Sequence, residues 1–126
     1  MLNAKQTKKL IKSINKIINP NTDFSVNAFY TILDTYQRNI EYSIYRLSPS
    51  YLGVSAYIYS FNTKNDVKIE CEIRDNQEPD ISENYKFKYC SLSVKKDSTN
   101  IRFEENTKLA QNIFLRMHKL YNNKHR

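Results

Sequence analysis

At 126 residues, with 40% hydrophobic and 26% charged side chains, the chain has the composition of a folded domain and not of a disordered segment. Its one glycine, Gly53, excludes a P-loop or a Gly-x-Gly-x-x-Gly turn, since each needs several glycines to bring backbone against phosphate. The formal charge of +7 is segregated: residues 1–20 hold five lysines and no acid, residues 66–83 hold seven acids against Lys68 and Arg74, and residues 106–126 hold five cations and no acid.

In chain order, residues 4–18 are expected to form an amphipathic helix. Leu10, Ile11, Ile14, Ile17 and Ile18 recur at the spacing of one helical face, with Lys5, Lys8, Lys9, Lys12 and Lys16 on the other side. Asn19-Pro20 ends it, because proline disfavours helical backbone in the residue before it. Residues 24–47 fit two periods. Val26, Phe29, Tyr30, Leu33, Tyr36, Ile40, Ile44 and Leu47 keep helical spacing, while Phe24, Val26, Ala28, Tyr30 and Ile32, then Ile40, Tyr42 and Ile44, also alternate. The expected outcome is a helix over about 25–38 passing into a strand, with a break at Ser48-Pro49-Ser50.

Three strands follow. Residues 51–61 place Leu52, Val54, Ala56 and Ile58 on one face, taken as inward, and Tyr57, Tyr59 and Phe61 on the other. Residues 67–74 alternate, with Ile69, Cys71 and Ile73 inward and Lys68, Glu70, Glu72 and Arg74 outward, where cross-strand ion pairing accounts for the charges. Residues 85–95 put Cys90, Leu92 and Val94 inward and Phe87 and Tyr89 outward, after a long acidic loop over 75–84. A short edge strand near 97–103 and a second amphipathic helix over about 105–122, lined by Leu109, Ala110, Ile113, Phe114, Met117, Leu120 and Tyr121, complete the chain before a frayed tail at 122–126. The fold class is therefore α+β: one domain over 1–126, an antiparallel β-meander of about four to five strands flanked by N-terminal and C-terminal amphipathic helices.

Few residues carry chemistry. Cys71 and Cys90 are too few for a disulfide framework and have no Cys-x-x-Cys spacing. They are expected as small buried groups, with a bridge open to them only if their strands are neighbours. His118 falls off the apolar face of its helix and His125 lies in the tail, so both are expected in solvent. Asp66-Val67-Lys68, with Asp34 upstream, has the Asp-x-Lys spacing that some metal-dependent nucleases use. That match is short, and Asp66 also suits a turn. The loop Asp75–Asp80 offers oxygen ligands but lacks the glycine of an EF-hand. No catalytic residue, cofactor or metal site is assigned.

Surface chemistry remains. The lysines of the first helix share a face that can follow a phosphate backbone, with Lys86, Lys88, Arg116 and Lys119 as secondary contacts. If the second sheet face is open, Tyr57, Tyr59, Phe87 and Tyr89 can stack on unpaired bases; the simpler expectation buries at least half of them under the residue 25–38 helix. High asparagine, lysine, isoleucine and tyrosine also fits A/T-rich codons, which lowers the weight of these counts. The reading is a non-catalytic protein that binds a negatively charged macromolecule, nucleic acid or nucleoprotein. Its alternatives are a small phage- or plasmid-encoded inhibitor of a host protein, in which the acidic stretch takes part, and thirdly the metal-dependent nuclease. No signal-like or membrane-length apolar run is present, so an intracellular, cytoplasmic location is expected.

Overall fold

A computed structural model describes residues 5, 8, 9, 24–47, 53–62, 67–82, 84–96 and 99–124. Lys5, Lys8 and Lys9 have helical backbone and exposed side chains, while the rest of the expected first helix lies outside the described residues. The described elements are α1 (Phe24–Thr35), a 3-10 turn (Gln37–Asn39), β1 (Ile40–Arg46), β2 (Ser55–Asn62), β3 (Val67–Asp75), β4 (Cys90–Lys96), β5 (Thr99–Arg102) and α2 (Lys108–Lys124). All five strands form one antiparallel sheet in the order β1-β2-β3-β4-β5, a meander.

The ambiguous stretch over 24–47 is both helix and strand. The Thr35 hydroxyl donates back to the Thr31 carbonyl at 2.6 Å, and the Tyr36 N–H reaches the Ile32 carbonyl at 3.0 Å. One 3-10 turn follows, and Ile40 is already extended at φ −85°, ψ 127°. The Asn39 side-chain amide donates to the Asn62 carbonyl at 2.9 Å, tying the turn to the far end of β2.

Helix α2 covers one face of the sheet, and α1 packs chiefly against α2. The core between them takes Ile69, Cys71 and Ile73 from β3, Cys90, Leu92 and Val94 from β4, and Ala110, Ile113, Phe114 and Met117 from α2. Full burial of a side chain as large as Phe114 contributes roughly 2–3 kcal/mol. The start of α2 is capped by Thr107, whose hydroxyl accepts the Ala110 N–H at 3.2 Å. Before it, Asn106 takes the left-handed conformation (φ 61°) and exchanges two 2.8 Å hydrogen bonds with Cys90: its N–H donates to the Cys90 carbonyl, and its Oδ1 accepts the Cys90 N–H. The helix runs through Asn122 and Asn123 to Lys124, so the expected frayed tail is helical over those residues.

Four expectations are corrected. In β2 the face toward the main core is Tyr57, Tyr59 and Phe61, at 4%, 3% and 0% exposed; Ala56 and Ile58 are buried as expected, at 2% and 9%, but on the reverse face. Both alternating sets are apolar, and the partners in β1 and β3 decide between them. The helix above these tyrosines is α2, since Phe114 stands edge-on to Tyr59 at 5.1 Å. Residues 85–89 do not continue β4, because burying Phe87 against Phe114 (5.9 Å) and against Tyr85 (4.9 Å) is incompatible with the pleat that turns Cys90, Leu92 and Val94 inward. Charge pairing on β3 runs along the strand, Lys68 to Glu70 at 3.2 Å and Arg74 to Glu72 at 2.6 Å, because the cross-strand neighbours of the glutamates are Ser60, Ser93, Ile58 and Ser91.

Candidate functional site

The cations expected to meet an anionic ligand fall into two groups. Lys5, Lys8, Lys9, Lys86 and Lys119 are exposed. Arg116 instead stacks over the Tyr30 ring at 4.2 Å and lies 3.7 Å from the Asp34 carboxylate, and Lys88 reaches Asp75 at 3.4 Å. Both are paired within the chain, though the Lys88 side chain remains exposed. Lys12 and Lys16 lie outside the described residues.

The expected stacking face does not assemble. Tyr57 and Tyr59 are in the core, and Phe87 is half-buried against Phe114. Tyr89 alone stands apart from that core, half-buried, with the Arg74 guanidinium 4.2 Å above its ring.

Three acids of the acidic stretch are paired nearby. Glu70 and Glu72 hold the cations of their own strand, and Asp75 collects the Asn76 N–H at 2.7 Å, the Tyr85 hydroxyl at 3.1 Å and Lys88. Burial alone would raise the Asp75 pKa, but these donors outweigh it and hold the carboxyl below its ordinary 3.8.

A cleft of about 100 Å³ opens where the second half of α2 crosses β1 and β2 beneath the loop Glu78–Ile81. Its wall is a cluster of phenols: Tyr42 and Tyr59 lie 4.7 Å apart, with Tyr121 at 5.8 and 5.6 Å from them. The Tyr42 hydroxyl donates to Glu78 at 3.2 Å, and the Tyr59 hydroxyl lies 2.8 Å from His118 Nδ1. Burial lowers the His118 pKa below 6.5 against a weaker opposing pull from Asp80, so the imidazole is neutral at pH 7. Burial first, with Glu78 adding at Tyr42 and Tyr121 at Tyr59, pushes both phenols well above 10.0. The phenol therefore keeps its proton, and the Asn122 side-chain nitrogen also approaches the ring, 3.2 Å from Nδ1 and 3.0 Å from Nε2, so which ring nitrogen donates follows the tautomer. His118 is thus not the solvated side chain expected of it. An i, i+3 pairing with Tyr121 on α2 is the pattern that marks both as wall residues.

The Cys71 and Cys90 thiols are buried and form no disulfide, and burial raises the Cys71 pKa well above 9.0. Among the described residues no three His, Cys, Asp or Glu side chains converge as metal ligands; Asp66 lies outside them, and Asp34 faces Arg116. Nor is any helix among them long and apolar enough to cross a membrane. Comparison with known proteins finds no match: no protein family, no curated protein and no solved structure aligns with the chain.

Proposed function

We propose that the chain is a non-catalytic binder of an anionic macromolecule, nucleic acid in the first instance, acting through Lys5, Lys8, Lys9, Lys86 and Lys119. The observation that carries this reading is the local pairing of three acids in the acidic stretch. Glu70, Glu72 and Asp75 each have a cation from their own strand or the adjoining loop. Those three acids are held locally, and the formal charge of +7 favours an anionic partner. Three of the four aromatics that would stack on bases lie in or against the core, so contact is by phosphate neutralisation without base reading.

The test is the salt dependence of binding to a short DNA or RNA duplex, read by fluorescence anisotropy. A logarithmic plot of affinity against salt falls by about 0.9 per phosphate contact on B-DNA. Replacing Lys5, Lys8 and Lys9 together by alanine flattens that slope and weakens binding equally on unrelated sequences. An affinity that does not change between about 50 and 200 mM salt overturns the proposal.

A further inference from the structure

Among the described residues the sheet order leaves β1 and β5 with one side each outside the ladder, and the two edges are built differently. Strand β5 is four residues long and presents exposed Asn100 and Arg102. Strand β1 is seven residues long, Ile-Glu-Tyr-Ser-Ile-Tyr-Arg, with an unbroken register to β2 and no lysine, proline or bulge. Lysine, proline and bulges are among the devices by which edge strands avoid pairing with other chains; the charges on β1 are Glu41 and Arg46, one near each end.

The phase of the ladder states which backbone groups face outward. Leu47 N–H bonds the Val54 carbonyl at 3.2 Å, continuing the register in which Arg46 faces Ser55. Antiparallel hydrogen-bonded pairs alternate, so Glu41, Ser43 and Tyr45 turn their N–H and C=O toward β2 while Tyr42, Ile44 and Arg46 turn theirs away. The side chains point to the same strand. Among the described residues the exposed large hydrophobics are Ile44 (50%) and Tyr45 (59%). Being consecutive, they lie on opposite faces of the sheet. A helix or loop laid on one face would cover one of them; a strand added in the plane of the sheet flanks both.

We infer that a second copy of this chain adds to β1 antiparallel, in a register centred on Ile44. A twofold axis through Ile44 joins core face to core face and pairs the outward-facing residues with each other: Ile44 with the partner's Ile44, and Tyr42 with the partner's Arg46. On the reverse face Ser43 meets the partner's Tyr45. Arg46 is exposed, and this register carries it to the Tyr42 ring and to the Glu78 carboxylate that the Tyr42 hydroxyl holds, a cation against an acid and an aromatic face. Centring on Ser43 instead would require the Ile40 N–H, which the Gln37 carbonyl already accepts.

Cysteine scanning tests both the pairing and its register. Opposed residues of a hydrogen-bonded antiparallel pair have Cα atoms about 5.5 Å apart, within the roughly 4.4–6.8 Å that a disulfide spans. The expected result is that Ile44→Cys gives a covalent dimer under mild oxidation while Ser43→Cys, whose opposite number is Tyr45, does not; native Cys71 and Cys90 are buried and remain silent. Sedimentation equilibrium of the unmodified chain shows a concentration-dependent mass above 15.0 kDa. Association weakens at least tenfold in Ile44→Lys and in Ile44→Pro; the latter removes an N–H that β2 does not use, and the unchanged circular dichroism of either variant confirms folding. A strictly monomeric chain at millimolar concentration, or equal cross-linking through Ser43→Cys and Ile44→Cys, overturns the inference.

Discussion

The Tyr59 hydroxyl and His118 Nδ1 stand 2.8 Å apart, joining the centre of the sheet to the helix that covers it. Burial lowers the His118 pKa below its ordinary 6.5, so the folded chain favours the neutral ring. Above the unfolded value both states carry a neutral ring and the contribution is complete. As pH falls below it the unfolded chain takes up a proton that the folded chain resists, so stability declines until the folded pKa is passed. Urea unfolding between pH 7.5 and 5 should therefore show falling stability, and His118→Gln should flatten that decline. A His118 proton resonance titrating above 6.5 would contradict it.

Asp75 gives a second, lower window. Its carboxyl is held below 3.8 by the Asn76 N–H, Tyr85 and Lys88 despite burial. Its contribution is present above the unfolded pKa and is lost as pH drops through the lower folded value. Asp75→Asn should cost about 1–3 kcal/mol at neutral pH, because the Tyr85 hydroxyl and the Asn76 N–H lose a charged acceptor. Chemical denaturation at pH 7 and pH 3 measures it, with the gap between wild type and variant closing at the lower pH.

At Asn106 two demands meet, a positive φ and a side-chain acceptor for the Cys90 N–H. Asn106→Gly keeps the first and loses the second; Asn106→Ala loses both. The expected ranking of stability is wild type, then glycine, then alanine, with the alanine variant about 1–3 kcal/mol below wild type. Thermal unfolding midpoints of the three proteins check it, and an alanine variant as stable as the glycine one would refute it.

Cys71 donates from a fully buried thiol to the Ala110 carbonyl at 3.4 Å, and Cys90 is equally enclosed. Both should be silent to an aromatic disulfide reagent in the native protein and react together in denaturant. A native-state reaction of either thiol within minutes would show that the seam between β3, β4 and α2 opens locally.

Much of the fold was legible because its signals were local. Ile69, Cys71 and Ile73 alternate against charges, and the Ile113, Phe114, Met117 face of α2 leaves a single helical solution; both behave as expected. The passage from helix to strand near residue 38 was less legible, because helical spacing and alternation both fit residues 24–47. What failed depended on neighbours distant in sequence. Tyr57 and Ile58 are equally apolar, so only the register with Ile44 and Ile73 decides which one faces α2. The candidate site was less legible still. Lys88 and Arg116 look like free cations until Asp75 and Asp34 are placed beside them, and His118 looks solvated until Tyr59 is. The exposure of Lys5, Lys8 and Lys9 was the part readable from spacing alone.

Because each strand pairs with the one just made, successive hairpins can form as soon as their residues leave the ribosome. The lid over Tyr57, Tyr59, Ile69 and Leu92 is nevertheless α2, the last element in chain order. A nascent or truncated chain that stops short of Lys108 would hold a wet, half-finished sheet with its oily side bare. Such a species is the one that chaperones and proteases would meet first, and C-terminal deletions should be read as folding defects before any role is ascribed to the missing residues.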